Sequence, residues 1–247
     1  MNMTTCRPLS LACLLVLLTT AAAADDTVTF ESPDHQTRIV ELYTSEGCSS
    51  CPPADRWLTA LREDEGLWTD FIPLAFHVTY WNYLGWRDEF SDEAFDQRQR
   101  RKAARAGSGV YTPGVFLDGD EYRRWRRRPG APEARTEQDA GRLTVNIEDG
   151  RVEARFTGGK RTPPSHLEFA ILASGLSSNV RAGENRGRRL QHDFVVADLS
   201  RHALTRSDDG WQVSFDLPST DLASDPAIAA WVVDKRGAPL QATGGWL

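Results

Sequence analysis

The side chains of this 247-residue chain best suited to chemistry are two cysteines, in the run Cys48-Ser49-Ser50-Cys51-Pro52-Pro53. Two residues between thiols is the spacing of reversible dithiol–disulfide exchange, in which a thiolate attacks one sulfur of a disulfide. The other cysteines, Cys6 and Cys13, fall in an N-terminal segment with the marks of a leader. A disulfide across two residues closes so short a loop that it removes little chain entropy, so a redox or ligand role is favoured over stapling. Cys48 is expected to be the nucleophile and Cys51 the resolving thiol.

Other residues are candidates for support. Thr112-Pro113 precedes a strand-like segment, and a proline there removes a backbone donor and leaves an edge on which a partner's backbone can be held. Cys48, Cys51 and Pro113 therefore form the expected catalytic set, with Thr112 beside them. Glu41 lies in the strand leading to the dithiol; it would accept the proton of Cys51 if burial raised its pKa, or else be an ion-paired or surface glutamate. His77 sits among aromatics, with Tyr80 and Trp81 close behind. It would help deprotonate a thiol, complete a Cu(I) site with the cysteines, or be a hydrogen-bonded buried histidine. The aromatics read as a substrate groove or as core. The sequence has no second CxxC and no close histidine pair, so no metal ligand set and no cofactor is assigned.

Several elements must position these groups. Arg38 to Tyr43 reads as a buried strand, Thr44 to Gly47 as a turn, and a helix is expected from about Cys48 to Leu61, with Pro52 and Pro53 in its first turn. First-turn N–H groups and the helix dipole would lower the pKa of Cys48 moderately, with Glu46 opposing. Phe71 to Tyr80 is a second strand, Ser91 to about Ala106 a helix ended by Gly107, and Gly114 to Leu117 a strand turned by Asp118-Gly119. After Arg128-Pro129-Gly130, short alternating strands follow at Leu143–Ile147, Arg151–Phe156, His166–Ala173, Gln191–Ala197, Trp211–Asp216 and Ala229–Asp234. The expected fold class is α/β: a thioredoxin-like N-terminal domain with the CxxC at 25–130, then a small all-β, sandwich-like domain at 131–247. Gly183 to Gly187 and Gln191 to Asp193 are expected to dock against the first part or to contact a ligand.

Residues 1–24 read as a signal peptide: Arg7, an apolar run from Leu9 to Leu18, and Ala22-Ala23-Ala24 before Asp25. Cleavage is expected after Ala24, giving a periplasmic or secreted protein in a disulfide-permissive space and without stable membrane insertion. The formal net charge of −6 gives no whole-chain reason to expect nucleic-acid binding. The basic stretches Arg98–Arg105 and Arg123–Arg128 read as solvated faces.

The segments VELYTSEGCSSCPPAD, FHVTYWNYLGWRDEF, VYTPGVFLDG and AGENRGRRLQHDFVV together resemble a family of secreted bacterial proteins of unknown function with a thioredoxin-like domain. The resemblance spans roughly residues 36 to 245. It implies the fold, export and a CxxC site, and supplies no reaction or substrate. It also implies aspartate where this chain has Thr79 and Asn82, and glutamine where it has Gly114. The expected function is thiol–disulfide exchange on protein or small thiol substrates, with an unknown redox partner. An envelope binding module with a structural disulfide and, third, a Cu(I)-binding protein stand as alternatives.

Overall fold

The computed structural model describes Met1 and residues 27–127, 130–135, 139–159, 162–219 and 224–247. Apart from Met1, the expected signal peptide lies outside the described residues. β1 is Val28–Glu31, β2 Arg38–Thr44, α1 Pro52–Ala60, β3 Phe71–His77, α2 Glu93–Ala106, β4 Gly114–Leu117 and β5 Asp120–Glu121. β6 (Arg142–Glu148), β7 (Arg151–Thr157) and β8 (His166–Ala173) follow, then the short pair β9 (Leu176–Asn179) and β10 (Arg189–His192). The chain closes with β11 (Val195–Ala203), β12 (Thr205–Ser207), β13 (Gly210–Asp216), β14 (Ala227–Val233) and β15 (Pro239–Trp246).

Local chemistry accounts for the element boundaries around the cysteines. α1 begins at Pro52, with Cys51 as its N-cap and two prolines where no helical N–H is required. The helix therefore starts four residues later than Cys48. α2 is capped by Asp92, whose side chain accepts from the Ala94 N–H at 2.7 Å, and ended by Gly107 in the left-handed region at φ 63°. β4 and β5 are joined by Asp118 and Gly119, both at positive φ, as a two-residue hairpin requires.

Eight strands form one sheet in the order β15-β14-β8-β11-β3-β2-β4-β5. β2 and β3 are parallel, β4 is antiparallel to β2, and β11 joins β3 through the parallel pair Val195 and Ala75. A second sheet runs β1-β6-β7-β13-β12, and β9 pairs with β10 alone. Residues directly opposite in a ladder share a face. Ala75 faces Val195, which in turn faces Ala173, two residues from Ile171. The face that carries α1, through Trp57, Leu58 and Leu61 on Leu42 and Ala75, thus continues into the face where Phe169 and Ile171 meet the second sheet. α2 packs through Phe95 on the opposite face, against Phe76 and Ile72, with Trp231 and Leu172 in the same core.

This corrects the expected fold class. The protein is mostly β, 43% strand and 15% helical, with two α-helices among the described residues, and is not a thioredoxin-like α/β domain followed by a small all-β one. The physical reason lies in β8 and β14. Both are buried along nearly their whole length, as strands covered on two faces must be, so they extend the sheet of β2 and β3 instead of closing a sandwich of their own. Among the described residues no helix is long and apolar enough to cross a membrane.

Gln241 ties the two sheets at β15. Its fully buried side chain accepts from the Thr37 and Ala242 N–H groups and donates to the carbonyls of Pro33, His35 and Gly141. Four backbone groups at the β1–β2 turn and just before β6, and one in β15 itself, are satisfied by one amide.

Candidate functional site: a buried dithiol under a hairpin

The strand–turn–helix path from β2 to α1 places Cys48 in a tight turn and Cys51 at the head of α1. The Cys48 N–H donates to the Ser45 carbonyl (3.1 Å) and the Cys48 carbonyl accepts from the Cys51 N–H (3.2 Å). Both side chains are buried free thiols. Gly47 is required just before them: a Cβ there would lie 2.8 Å from the Trp81 Cβ. Trp81 in turn donates its indole N–H to the Thr112 hydroxyl at 2.7 Å. The Thr112–Pro113 bond is cis, and Pro113 is buried at the start of β4 beside the turn.

The two sulfurs are electrostatically unequal. A hydrogen bond from Cys51, with further ones from Ser50 and Thr112 that outweigh burial, lowers the Cys48 pKa to about 6. Burial, the hydrogen bond given to Cys48 and the nearby Asp55 charge push Cys51 well above the ordinary thiol range. The pair thus shares one proton across neutral pH, with the negative charge on Cys48. The Thr112 hydroxyl, with one proton to give, is placed to bond either sulfur, and it accepts from the Trp81 indole. Tyr80 bonds Gln99 at 3.1 Å and is raised, mainly by burial, to about 12, so it stays a neutral phenol.

Behind Cys51 lies a buried group of acids and imidazoles. Asp55, one turn along α1 from Cys51, accepts from the Thr44 hydroxyl at 2.7 Å, and burial raises its pKa. His77 Nδ1 lies 2.7 Å from Asp88 Oδ2. Burial opposes charge on His77, but Asp88 outweighs it and the imidazole pKa rises, while that of Asp88 falls. His192 of β10 packs edge-on to His77 at 4.9 Å and places its Nε2 3.0 Å from Glu46 Oε1. Glu46 also accepts from the Trp86 indole at 2.6 Å. Among the described residues no three His, Cys, Asp or Glu side chains converge as metal ligands; His77 is held by Asp88 through Nδ1, and its buried Nε2 has no hydrogen-bond partner.

Glu41 is elsewhere in purpose. Its Oε1 takes Arg98 (2.7 Å) and Lys102 (3.0 Å), and its Oε2 takes the Tyr43 hydroxyl (2.8 Å). Burial alone would raise its pKa; the two cations more than reverse this, to about 2. A carboxylate so acidic does not take a proton from a thiol.

The β9–β10 hairpin covers the dithiol. Asn185, fully buried at its tip, donates to the Glu46 and Cys48 carbonyls at 2.8 and 2.9 Å, and Glu184 accepts from the Ser49 N–H at 2.9 Å. Cys48, Cys51, Thr112, Trp81 and Pro113 are thus gathered by the structure, Tyr80 lies at their edge, and Glu41 and His77 serve other partners. The sequence does not single out Asp55, Asp88, Asn185 or His192 as dithiol partners; Glu46, expected to oppose the Cys48 thiolate, bonds His192 and Trp86 instead. The position of Asp55 one helical turn from Cys51 was a readable signal. The contacts of Asn185 and His192, more than a hundred residues away, were readable only as a docking segment.

A strand–turn–helix dithiol bridged by a hairpin from the far half of the chain defines the architecture to be compared. The chain belongs to a protein family of unknown function, DUF1223, whose pattern matches residues 39–233. The match takes in both the cysteine turn and the covering hairpin. Among solved structures it is similar to protein AGR_C_4864 from Agrobacterium tumefaciens, at 23% identity and a TM-score of 0.60, over 87% of this chain and 95% of that one. It is also similar to HBP35 of Porphyromonas gingivalis, at 13% identity and a TM-score of 0.58, over 87% of this chain and 76% of that one. At these identities the likeness is one of fold. No curated protein matches the chain.

Proposed function

We propose that the protein is an exported thiol–disulfide oxidoreductase whose working groups are Cys48 and Cys51. The observation that carries this reading is the placement of two buried free thiols, Cys48 in the turn after β2 and Cys51 at the head of α1, where Cys48 is lowered to about 6 and Cys51 is raised by burial and Asp55. A stapling disulfide has no need of such a difference; a nucleophile and a resolving thiol do.

The Cys48 thiolate attacks one sulfur of a substrate disulfide. A mixed disulfide forms, and the other substrate sulfur leaves as a thiolate that is protonated by water. Cys51 then gives its proton to solvent, which replaces the one taken by the first leaving thiolate, and attacks the Cys48 sulfur, which closes the Cys48–Cys51 disulfide and expels the second substrate thiolate. Two electrons pass from the protein to the substrate; with a substrate dithiol and the oxidised protein the same steps run in reverse. Thr112 stabilises the charge on each sulfur in turn, and its placement by Trp81 makes both aromatic and hydroxyl part of the positioning.

In a Cys51→Ser protein treated with a small disulfide, a stable mixed disulfide on Cys48 is the expected product, seen as one adduct by mass spectrometry and absent from Cys48→Ser. Absence of any adduct on Cys48 would overturn the reading. The burial of Cys48 beneath Asn185 favours one second reading, an envelope binding module in which the pair is a permanent disulfide.

A further inference from the structure

Resting on the exchange reading, we infer that the cleft between α1 and β10 is a seat for carboxylates, and that the substrates are low-molecular-weight disulfides or thiols bearing them. The cleft has a volume of about 380 Å³, within the roughly 300–1,000 Å³ of small-molecule sites. Its walls bring together Pro52, Asp55 and Arg56 of α1 with Arg188, Arg189 and Leu190 of the hairpin. Pro52 follows the resolving cysteine directly and Asp55 lies one helical turn beyond it, so the wall of the cleft is continuous with the dithiol turn.

Three arginines, Arg56, Arg188 and Arg189, line this space. Arg188 donates to Asn185 Oδ1 at 2.8 Å and Arg189 to the Ser177 hydroxyl at 3.3 Å. Among the described residues none of Arg56, Arg188 and Arg189 has a carboxylate partner, whereas Arg38, Arg62, Arg98 and Arg142 each have one. The one acid in the wall, Asp55, is buried, bonded to Thr44, and shifted by burial toward its neutral form. Glu184, the acid of the hairpin tip, is committed to the Ser49 N–H. In a chain of net charge −6 this basic cleft is local, not a reflection of bulk charge. Planar guanidiniums bind carboxylates through paired, charge-assisted hydrogen bonds, which gives the cleft its ligand class.

The same arginines are coupled to access. Asn185 holds the Cys48 carbonyl, and Arg188 holds Asn185. A carboxylate that engages Arg188 competes with Asn185 for it and loosens the cover over Cys48. Seating the substrate and exposing the nucleophile become one event.

The test compares three small disulfides of similar size and different charge: dithiodipropionate, hydroxyethyl disulfide and cystamine. At low ionic strength the rate of reaction with the reduced protein should fall in that order, with roughly tenfold or more between the extremes, the lower end of electrostatic steering effects. Salt should compress the series, as should Arg56→Gln/Arg189→Gln, which spares Arg188 and its hold on Asn185. Equal or inverted rates, or a series that survives the double substitution, would overturn the inference. Suberate, in which two methylenes replace the two sulfurs, probes the cleft without exchange. Calorimetric binding of suberate that is lost in the double variant supports the seat, and absence of binding overturns it. If none of the three disulfides reacts, the exchange reading falls, and suberate binding still decides for or against the carboxylate seat.

Discussion

Replacing Arg98 by methionine is expected to destabilise the protein by about 3–5 kcal/mol, the range for removing one partner of a buried ion network. Arg98 is 6% exposed and lies over the rings of Phe76 and Trp231 at 5.0 and 5.5 Å. Its Nη2 is 2.7 Å from Glu41 and 2.8 Å from Glu168. With Lys102 on Glu41 and the half-exposed Arg201 3.9 Å from Glu168, three cations face two anions. Methionine preserves much of the packing against the rings but removes the one buried cation that both carboxylates share, leaving Lys102 on Glu41 and the half-exposed Arg201 near Glu168. Chemical denaturation of the two proteins measures the difference, and a loss below about 1 kcal/mol would mean that the network is solvated in the native protein. The pH dependence has a defined sign. The folded-state pKa of Glu41 is depressed from 4.5 to about 2, so its contribution is complete above 4.5 and is lost as pH falls through about 2. The penalty of Arg98→Met is therefore expected to be largest at neutral pH and to shrink in acid.

The second large effect concerns the thiolate. Titration of the reduced protein, followed by thiolate absorbance in the ultraviolet, is expected to show one ionisation near pH 6, assigned to Cys48 by its loss in Cys48→Ser. Absorbance reports ionisation without a reagent reaching the sulfur, so the hairpin does not interfere. The largest stabilising contact of that thiolate is the hydrogen bond from Cys51. Cys51→Ala should therefore move the midpoint upward, toward the roughly 8.5 of a free thiol. At pH 7 a thiol with a pKa near 6 is about nine-tenths ionised, and one near 8.5 only a few per cent. A midpoint unmoved by Cys51→Ala would assign the shift to Thr112 and Ser50 instead.

The chemistry of the turn was legible because it is local. β2, β3, α2 and β4 announce themselves by apolar runs, by Asp92 and Gly107 at the ends of α2, and by Asp118-Gly119. The start of α1 was placed at Cys48 although Pro52 begins it, because two prolines suit either the first turn or the residues just ahead of it. The sheet topology was not legible. His166–Ala173 and Ala227–Val233 are strands in either arrangement, and only their burial on both faces shows that they continue the sheet of β2 and β3. The basic run Arg98–Arg105 reads as a solvated face by composition, yet Arg98 and Lys102 are buried, since their partners Glu41 and Glu168 come from distant strands. Glu41 illustrates the same limit. Its place beside the dithiol in sequence suggested a proton acceptor, while the group that Cys51 feels electrostatically is Asp55. Asn82 and Thr79, where the resemblance implied aspartate, keep structural partners here: Thr79 bonds Asp96 through its N–H and hydroxyl, and Asn82 accepts from the Asp88 N–H.

The proposed exchange of electrons by Cys48 and Cys51 is read most directly from the redox midpoint of the pair in the purified mature protein, followed by thiol alkylation across glutathione buffers. A midpoint between roughly −120 and −270 mV, the span of dithiol oxidoreductases, is expected. A midpoint below about −300 mV, the region of structural disulfides, would contradict it.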